Sequence, residues 1–214
     1  MGVMQHVRLT PIIMQAETFE TAEALAAHTH DAGTPAEHHH DENAWMPTDG
    51  LERTVFTFSA SMLAGAGFAG ILAGVAFLLG LPITKQNGWI WGLCGFIAFS
   101  LAPSAGLPPE LPGMPAADVT MRQLWWLFTV VSTGAALWML ATRKQYFMAG
   151  LAFAIAILPH VIGAPQAAEH ASLVPAPLAV HFAGLVIGAN AVMWLIIGTL
   201  LGRFLPQQDL EPMT

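Results

Sequence analysis

Five histidines and four acidic side chains fall within fifteen residues near the start of the chain. They are His28, His30, His38, His39 and His40, with Asp31, Glu37, Asp41 and Glu42. Neutral imidazole is the commonest metal-binding side chain, and the carboxylates add oxygen ligands and negative potential. A loosely ordered site of this kind follows the Irving–Williams order and does not select one metal. The segment predicts a loop that collects divalent transition metals, and a solvated loop without metal is the alternative.

A second group of histidines lies in the last third of the chain. His160 and His181 fall close to the ends of two apolar segments, and His170 and Glu169 lie in the connection between them. Ionisable residues inside membrane segments are costly and usually face a cavity or a pathway. Packed as antiparallel neighbours, the two segments would present these imidazoles together, and we therefore predict His160, His170 and His181 as metal ligands at one mouth of a helix bundle. Interfacial histidines hydrogen-bonded to carbonyls or lipid headgroups are the alternative.

A single carboxylate stands in a proline-rich connection. The run Gly106–Gly113 has prolines at 108, 109 and 112, which restrict the backbone, and Glu110 is its one charged residue. Stiff backbone beside a membrane would hold that carboxylate in a fixed place. Two roles stay open for Glu110, namely a metal ligand on the entry path and an ion pair with Arg122.

The elements that must position these side chains are membrane helices. Of 214 residues, 55% are hydrophobic and 10% charged, against about 25% charged in soluble domains. This composition excludes a soluble globular protein. The net charge of -7, with 7 lysines and arginines, excludes nucleic-acid binding. The phosphate loop and the HExxH and GxSxG motifs are absent from the sequence, so no enzymatic activity is expected.

Apolar runs and polar breaks divide the chain into four parts. We expect residues 1–16 to form an interfacial helix or the end of a longer first helix. We expect residues 17–53 to form an acidic, histidine-rich loop outside the cytoplasm. Residues 54–203 predict a membrane domain of five helices, and 204–214 form a C-terminal tail. The five apolar segments cover about 54–80, 88–106, 123–142, 145–163 and 178–202. Backbone groups in lipid must pair within each segment, which predicts an all-α, multi-pass fold with five spans and a partial N-terminal helix.

Glycine spacing and charge placement predict packing and orientation. Small residues near helical spacing let backbones approach closely, and we expect the following faces to form the bundle interior: Gly67, Gly70 and Gly74; Gly88 and Gly92; Gly184 and Gly188. Four basic residues, Lys85, Arg143, Lys144 and Arg203, fall at one end of the segments, against Arg53 and Arg122 at the other. The positive-inside tendency places the first set in the cytoplasm.

Three motifs resemble those of one membrane-protein family. Pro108-Pro109-Glu110-Leu111-Pro112-Gly113, Arg122-Gln123-Leu124-Trp125-Trp126 and Leu158-Pro159-His160-Val161 together are similar to CbtA, a family of probable cobalt transporter subunits, and Pro11-Ile12-Ile13 resembles its early segment. The resemblance implies a bacterial inner-membrane protein in cobalt uptake, linked to cobalamin synthesis and working with a small histidine-bearing subunit, CbtB. Family members usually begin with a complete membrane helix ahead of this early segment, whereas this chain enters near the end of that helix.

These observations give one main hypothesis and two alternatives. The main hypothesis is a permease subunit for a divalent cation, with cobalt as cargo, nickel as the other candidate metal, and no tightly bound cofactor. The first alternative is a haem-binding electron-transfer subunit with His160 and His181 as axial ligands. The second is a metal-sensing membrane scaffold without transport. The lipid bilayer is the expected environment, and the sequence leaves the oligomeric state open.

Overall fold

The computed structural model describes residues 5–19, 47–48, 50–168 and 172–205, and all regular structure in these ranges is helical. Helix α1 covers 5–19 and begins with a π-helical turn, Gln5–Leu9. The others are α2 (Leu51–Leu79), α3 (Gly88–Ser104), α4 (Val119–Thr142), α5 (Tyr146–Ile162) and α6 (Ala176–Phe204). The five predicted apolar segments therefore all form helices, close to their expected bounds.

Three of these helices are long and apolar enough to cross a membrane. They are α2, α4 and α6, whereas α3 and α5 are shorter apolar helices. A hydrocarbon core of about 30 Å needs about 20 helical residues, within a range of about 17–25. Three candidate spans are compatible with the expected multi-pass fold. The crossing of α3 and α5, and so the total of five spans, stays a prediction.

Helices α3 and α6 run antiparallel with their backbones in close contact. A Cβ atom added at Gly198 would meet the backbone of Gly88 and Gly92, and one added at Gly202 would meet the carbonyl of Thr84. Only glycine leaves room for such an approach, which lets the two helices gain dispersion contacts along their length. The prediction for Gly88 and Gly92 is confirmed.

The predicted glycine faces of α2 and α6 are wrong. A Cβ atom at Gly67, Gly70 or Gly74 would meet nothing within 4 Å, and the same holds at Gly184 and Gly188. Helix α2 instead packs through a different stripe, in which Leu72 and Ala76 are buried beside Trp194 and Ile197 of α6. Bulky side chains on this stripe bury more area than glycines can, so they decide which face of α2 turns inward.

A cluster of aromatic rings fills the space between α2, α3 and α6. Trp194 is 1% exposed, and its ring centroid lies 5.0 Å from that of Phe68 and 5.2 Å from that of Phe99. Its indole Nε1 donates a hydrogen bond of 3.2 Å to Ser100 Oγ. Ser100 lies in a π-helical turn of α3, Ile97–Leu101. The buried indole thus has a polar partner, as buried tryptophans usually do.

The connections place one set of helix ends together. Leu111 of the α3–α4 connection is buried with Leu9 and Ile12 of α1 and with Phe182 near the start of α6. The end of α3 and the end of α5 both lie close to the start of α4. A Cβ atom added at Gly106, just after α3, would touch Trp125 of α4 and Ala164, just after α5. We call this side of the bundle the Glu110 end. The opposite side, with Thr84 and Gly202, is the Lys85 end.

Candidate functional site

An ion pair occupies the Glu110 end, where the α3–α4 connection meets α4. Glu110 Oε2 lies 2.8 Å from Arg122 Nη2, and the two side chains are 23% and 30% exposed. Helix α4 begins after Asp118, whose side chain accepts a hydrogen bond from the Met121 N–H, so Arg122 falls in the first turn. The positive end of the helix dipole disfavours a cation there, and the Glu110 carboxylate offsets this. The ion-pair role that the sequence left open for Glu110 is confirmed.

One turn further along α4, Trp125 joins α4 to α5. Its indole Nε1 donates a hydrogen bond of 3.1 Å to the carbonyl of Pro159, which also accepts from the Gly163 N–H at 3.0 Å. The Trp125 ring is buried and meets the His160 ring edge-on, with centroids 5.6 Å apart and planes at 76°. The half-buried imidazole of His160 therefore packs against α4.

The two membrane histidines lie on different helix pairs. Helix α5 packs against α4, whereas α6 packs against α3 and α2, and α5 and α6 make little contact with each other. The expectation that α5 and α6 are packed antiparallel neighbours is wrong. Close glycine contacts hold α6 to α3, while the short connection between α4 and α5 and the Trp125 hydrogen bond hold α5 to α4. His181 is exposed, next to the buried Phe182.

No preformed metal centre is found in the residues that the structure describes. Within 5–19, 47–48, 50–168 and 172–205, no three side chains of histidine, cysteine, aspartate or glutamate lie close enough to hold one ion. His28, His30, His38, His39, His40 and His170 lie outside these residues. The metal-ligand roles predicted for them, and for Glu110, His160 and His181, stay predictions.

The buried hydroxyls of α4 were not identified from the sequence. Thr129, Ser132 and Thr133 are 0%, 6% and 5% exposed in the middle of an apolar helix. Thr129 donates to the carbonyl of Trp125 at 2.9 Å, whereas Thr133 Oγ1 has no partner among the described residues. Their spacing of three and four residues on a membrane segment was the available signal, because it puts them close together on one helix.

A cleft of about 820 Å³ opens between α2, α3 and α4, toward the Lys85 end. Its walls are mostly aliphatic and aromatic, including Trp91, Trp126 and Trp138, with Cys94 and Asn87 as its few polar side chains. The Asn87 side chain already bonds to the backbone of Thr84 and Pro82. The cleft therefore offers a cation almost no ligands.

Among the described residues all regular structure is helical, and three helices are long and apolar enough to cross a membrane, which are features of an integral membrane protein. The chain belongs to the CbtA family, described as probable cobalt transporter subunits, whose family model matches residues 1–206. The resemblance noted from its motifs is thereby confirmed. No curated protein matches the chain, and no solved structure matches it. The family description is one of transport rather than of catalysis.

Proposed function

We propose that this chain is the membrane subunit through which a divalent transition-metal cation, with cobalt as cargo, enters a bacterial cell for cobalamin synthesis. Family membership over residues 1–206 carries the proposal. The Glu110 end supports it, since the ion pair of Glu110 with Arg122 and the contact of His160 with Trp125 lie about one helical turn apart along α4. Cobalt is the transported substrate in this proposal, not a resident cofactor.

In the proposed route, the histidine-rich loop concentrates the cation at the outer surface. Its proposed donors are His28, His30, His38, His39 and His40. His181, near the start of α6, is a further proposed ligand, and so is His170. Glu110 and His160 then receive the ion at the mouth of the bundle. Several weak sites suit conduction better than one tight site, because a tightly held ion would not leave. The positive-inside tendency orients the Glu110 end away from the cytoplasm.

The ion pair has a defined part in this proposal. The Arg122 guanidinium neutralises Glu110 while no metal is present, so the carboxylate is not left as an unpaired charge at the edge of the bilayer. An arriving dication competes with Arg122 for the same oxygens. The carboxylate therefore has a cationic partner both before and after the metal arrives.

We further propose that a second, small histidine-bearing subunit of the CbtB type works with this chain. The family description names a subunit, which supports the existence of a partner. The mostly exposed α2 supplies a surface on which another membrane helix could pack. A sensing scaffold without transport is distinguished from this proposal by measuring metal flux.

Uptake of radioactive cobalt by a strain deleted for the gene tests the proposal. We expect the wild-type chain to restore uptake and the His160→Ala, His181→Ala double variant not to restore it, although immunoblots show equal amounts in the membrane. Gln145→Ala is the control, because Gln145 is an exposed polar residue beyond the Lys85 end of α4. Equal uptake with and without the wild-type chain would reject the function. Wild-type uptake by the double variant would remove both imidazoles from the route.

The haem alternative requires a different arrangement of the same two histidines. Axial ligation requires His160 and His181 to approach one iron from opposite sides. Their helices, α5 and α6, make little contact with each other, which disfavours this arrangement. An absorption spectrum of the protein purified from membranes discriminates the two, because a Soret band would support haem.

A further inference from the structure

Thr133 lacks a hydrogen bond that many helical hydroxyls of this chain make. Six serine and threonine side chains donate to the backbone carbonyl four residues earlier: Thr54, Thr57, Ser61, Ser104, Thr129 and Thr142. This bond is the usual way for a hydroxyl in an apolar helix to satisfy its donor. Thr133 Oγ1 is buried and, within the described ranges, does not make it.

An unpartnered hydroxyl in a protein interior needs a physical explanation. Burying it without a hydrogen bond costs free energy, and the usual explanation is a water molecule or an ion that it contacts. Thr129, one turn earlier on the same helix, is even more deeply buried and uses its own hydroxyl on the Trp125 carbonyl. Burial alone therefore does not prevent the backbone bond in this part of α4.

The position of Thr133 connects it with the Glu110 end. Arg122, Thr129 and Thr133 are separated by seven and four residues, which places them in one line along α4. Eleven residues from Arg122 to Thr133 span about 16 Å at about 1.5 Å per residue. This distance is roughly half the hydrocarbon core of about 30 Å. Thr133 thus lies near the middle of the membrane segment, below the ion pair.

We propose that the Thr133 hydroxyl oxygen is an interior contact for the hydrated divalent cation as it crosses the bundle. The inference rests on the proposed function and adds a site at mid-depth. A neutral hydroxyl can accept a hydrogen bond from, or donate one to, a water of the hydrated ion, and its oxygen can replace one such water. A single neutral oxygen binds weakly, which lets the ion move on.

Cobalt uptake by three threonine variants tests this site. Thr133→Val keeps the shape of the side chain and removes the hydroxyl, and we expect uptake to fall roughly tenfold. Thr133→Ser restores the hydroxyl and should restore uptake. Thr129→Val is the matched control, since it removes a hydroxyl that is at least as deeply buried and already has a backbone partner. Wild-type uptake by Thr133→Val would overturn the site while leaving the proposed function intact. Absence of uptake by the wild type would overturn both.

Chemical labelling gives a readout that does not depend on transport. In a Cys94→Ala background, which removes the one native thiol, Thr133→Cys should react with a small water-borne methanethiosulfonate. Cobalt should slow that reaction. Thr129→Cys in the same background should react several-fold more slowly. Equal, cobalt-independent rates at the two positions would contradict a water-filled contact at Thr133.

Discussion

Glu110 Oε2 lies 2.8 Å from Arg122 Nη2, so the carboxylate that the sequence singled out is paired with a cation from the first turn of α4. The pair joins the proline-rich connection to the helix that carries Trp125 and Thr133. Both side chains remain partly exposed, so water and ions can reach them. The pairing makes Glu110 both a structural contact and the proposed first acceptor of the metal.

The two members of this pair should have opposite effects on cobalt affinity. Arg122→Gln frees the carboxylate and should lower the cobalt concentration at half-maximal uptake, whereas Glu110→Gln removes an anion and should raise it. Each change should cost about 1 kcal/mol of stability or less, because the pair is partly exposed. Concentration series of cobalt uptake measure the effect. Equal weakening by both substitutions would mean that the pair is structural alone.

Trp125→Phe should destabilise the contact between α4 and α5. The change removes the hydrogen bond from Nε1 to the Pro159 carbonyl, which still accepts from Gly163. We expect a loss of about 1 kcal/mol, the usual net contribution of such a bond. Thermal unfolding in detergent measures it. Trp89→Phe is the control, since Trp89 is 53% exposed near the Lys85 end. An equal change in the two melting temperatures would show that the hydrogen bond contributes nothing.

Gly198→Ala should separate α3 from α6, whereas Gly70→Ala should be tolerated. The first methyl would meet the backbone of Gly88 and Gly92, and backbone atoms cannot move aside cheaply. Overpacking of this kind costs about 1–3 kcal/mol. The second methyl would meet nothing within 4 Å. Melting temperatures of the two variants compare them directly, and a Gly198→Ala protein as stable as Gly70→Ala would contradict the close approach.

Thr133→Val should lower uptake without lowering the melting temperature. The valine keeps the shape of the side chain and removes a hydroxyl without a described partner, so no hydrogen bond within the described residues is lost. Thermal unfolding in the absence of metal is the measurement. A lower melting temperature than that of the wild type would indicate that Thr133 is already satisfied in the resting protein.

The helices could be predicted because a long apolar run in lipid satisfies its own backbone hydrogen bonds only as a helix. Backbone pairing within the segment fixes each helix whatever its neighbours are, which is why the segment at 88–106 was found without knowledge of its partner. Neighbour choice depends on surface shape, to which glycine spacing is only a weak guide. Gly67, Gly70 and Gly74 have the same kind of spacing as Gly88 and Gly92, yet only the latter pair meets another helix.

Within the candidate site, a contact could be predicted only between residues that one short connection keeps close together. Glu110 and Arg122 are twelve residues apart across a short, proline-rich connection, and their pairing was one of two predicted outcomes. The positions of His160 and His181 relative to each other depend on which helices pack together. The Trp125 hydrogen bond and the glycine contacts between α3 and α6 set that packing. Thr133 was missed because a threonine in an apolar helix ordinarily bonds to its own backbone.

Cobalt flux into sealed liposomes tests the central claim most directly. The chain would be purified from its native membrane together with any subunits that accompany it, and reconstituted around a dye that cobalt quenches. We predict faster quenching than in protein-free liposomes, and loss of that difference with His160→Ala but not with Gln145→Ala. Quenching at the protein-free rate by the intact preparation would contradict the assignment of this chain to cobalt transport.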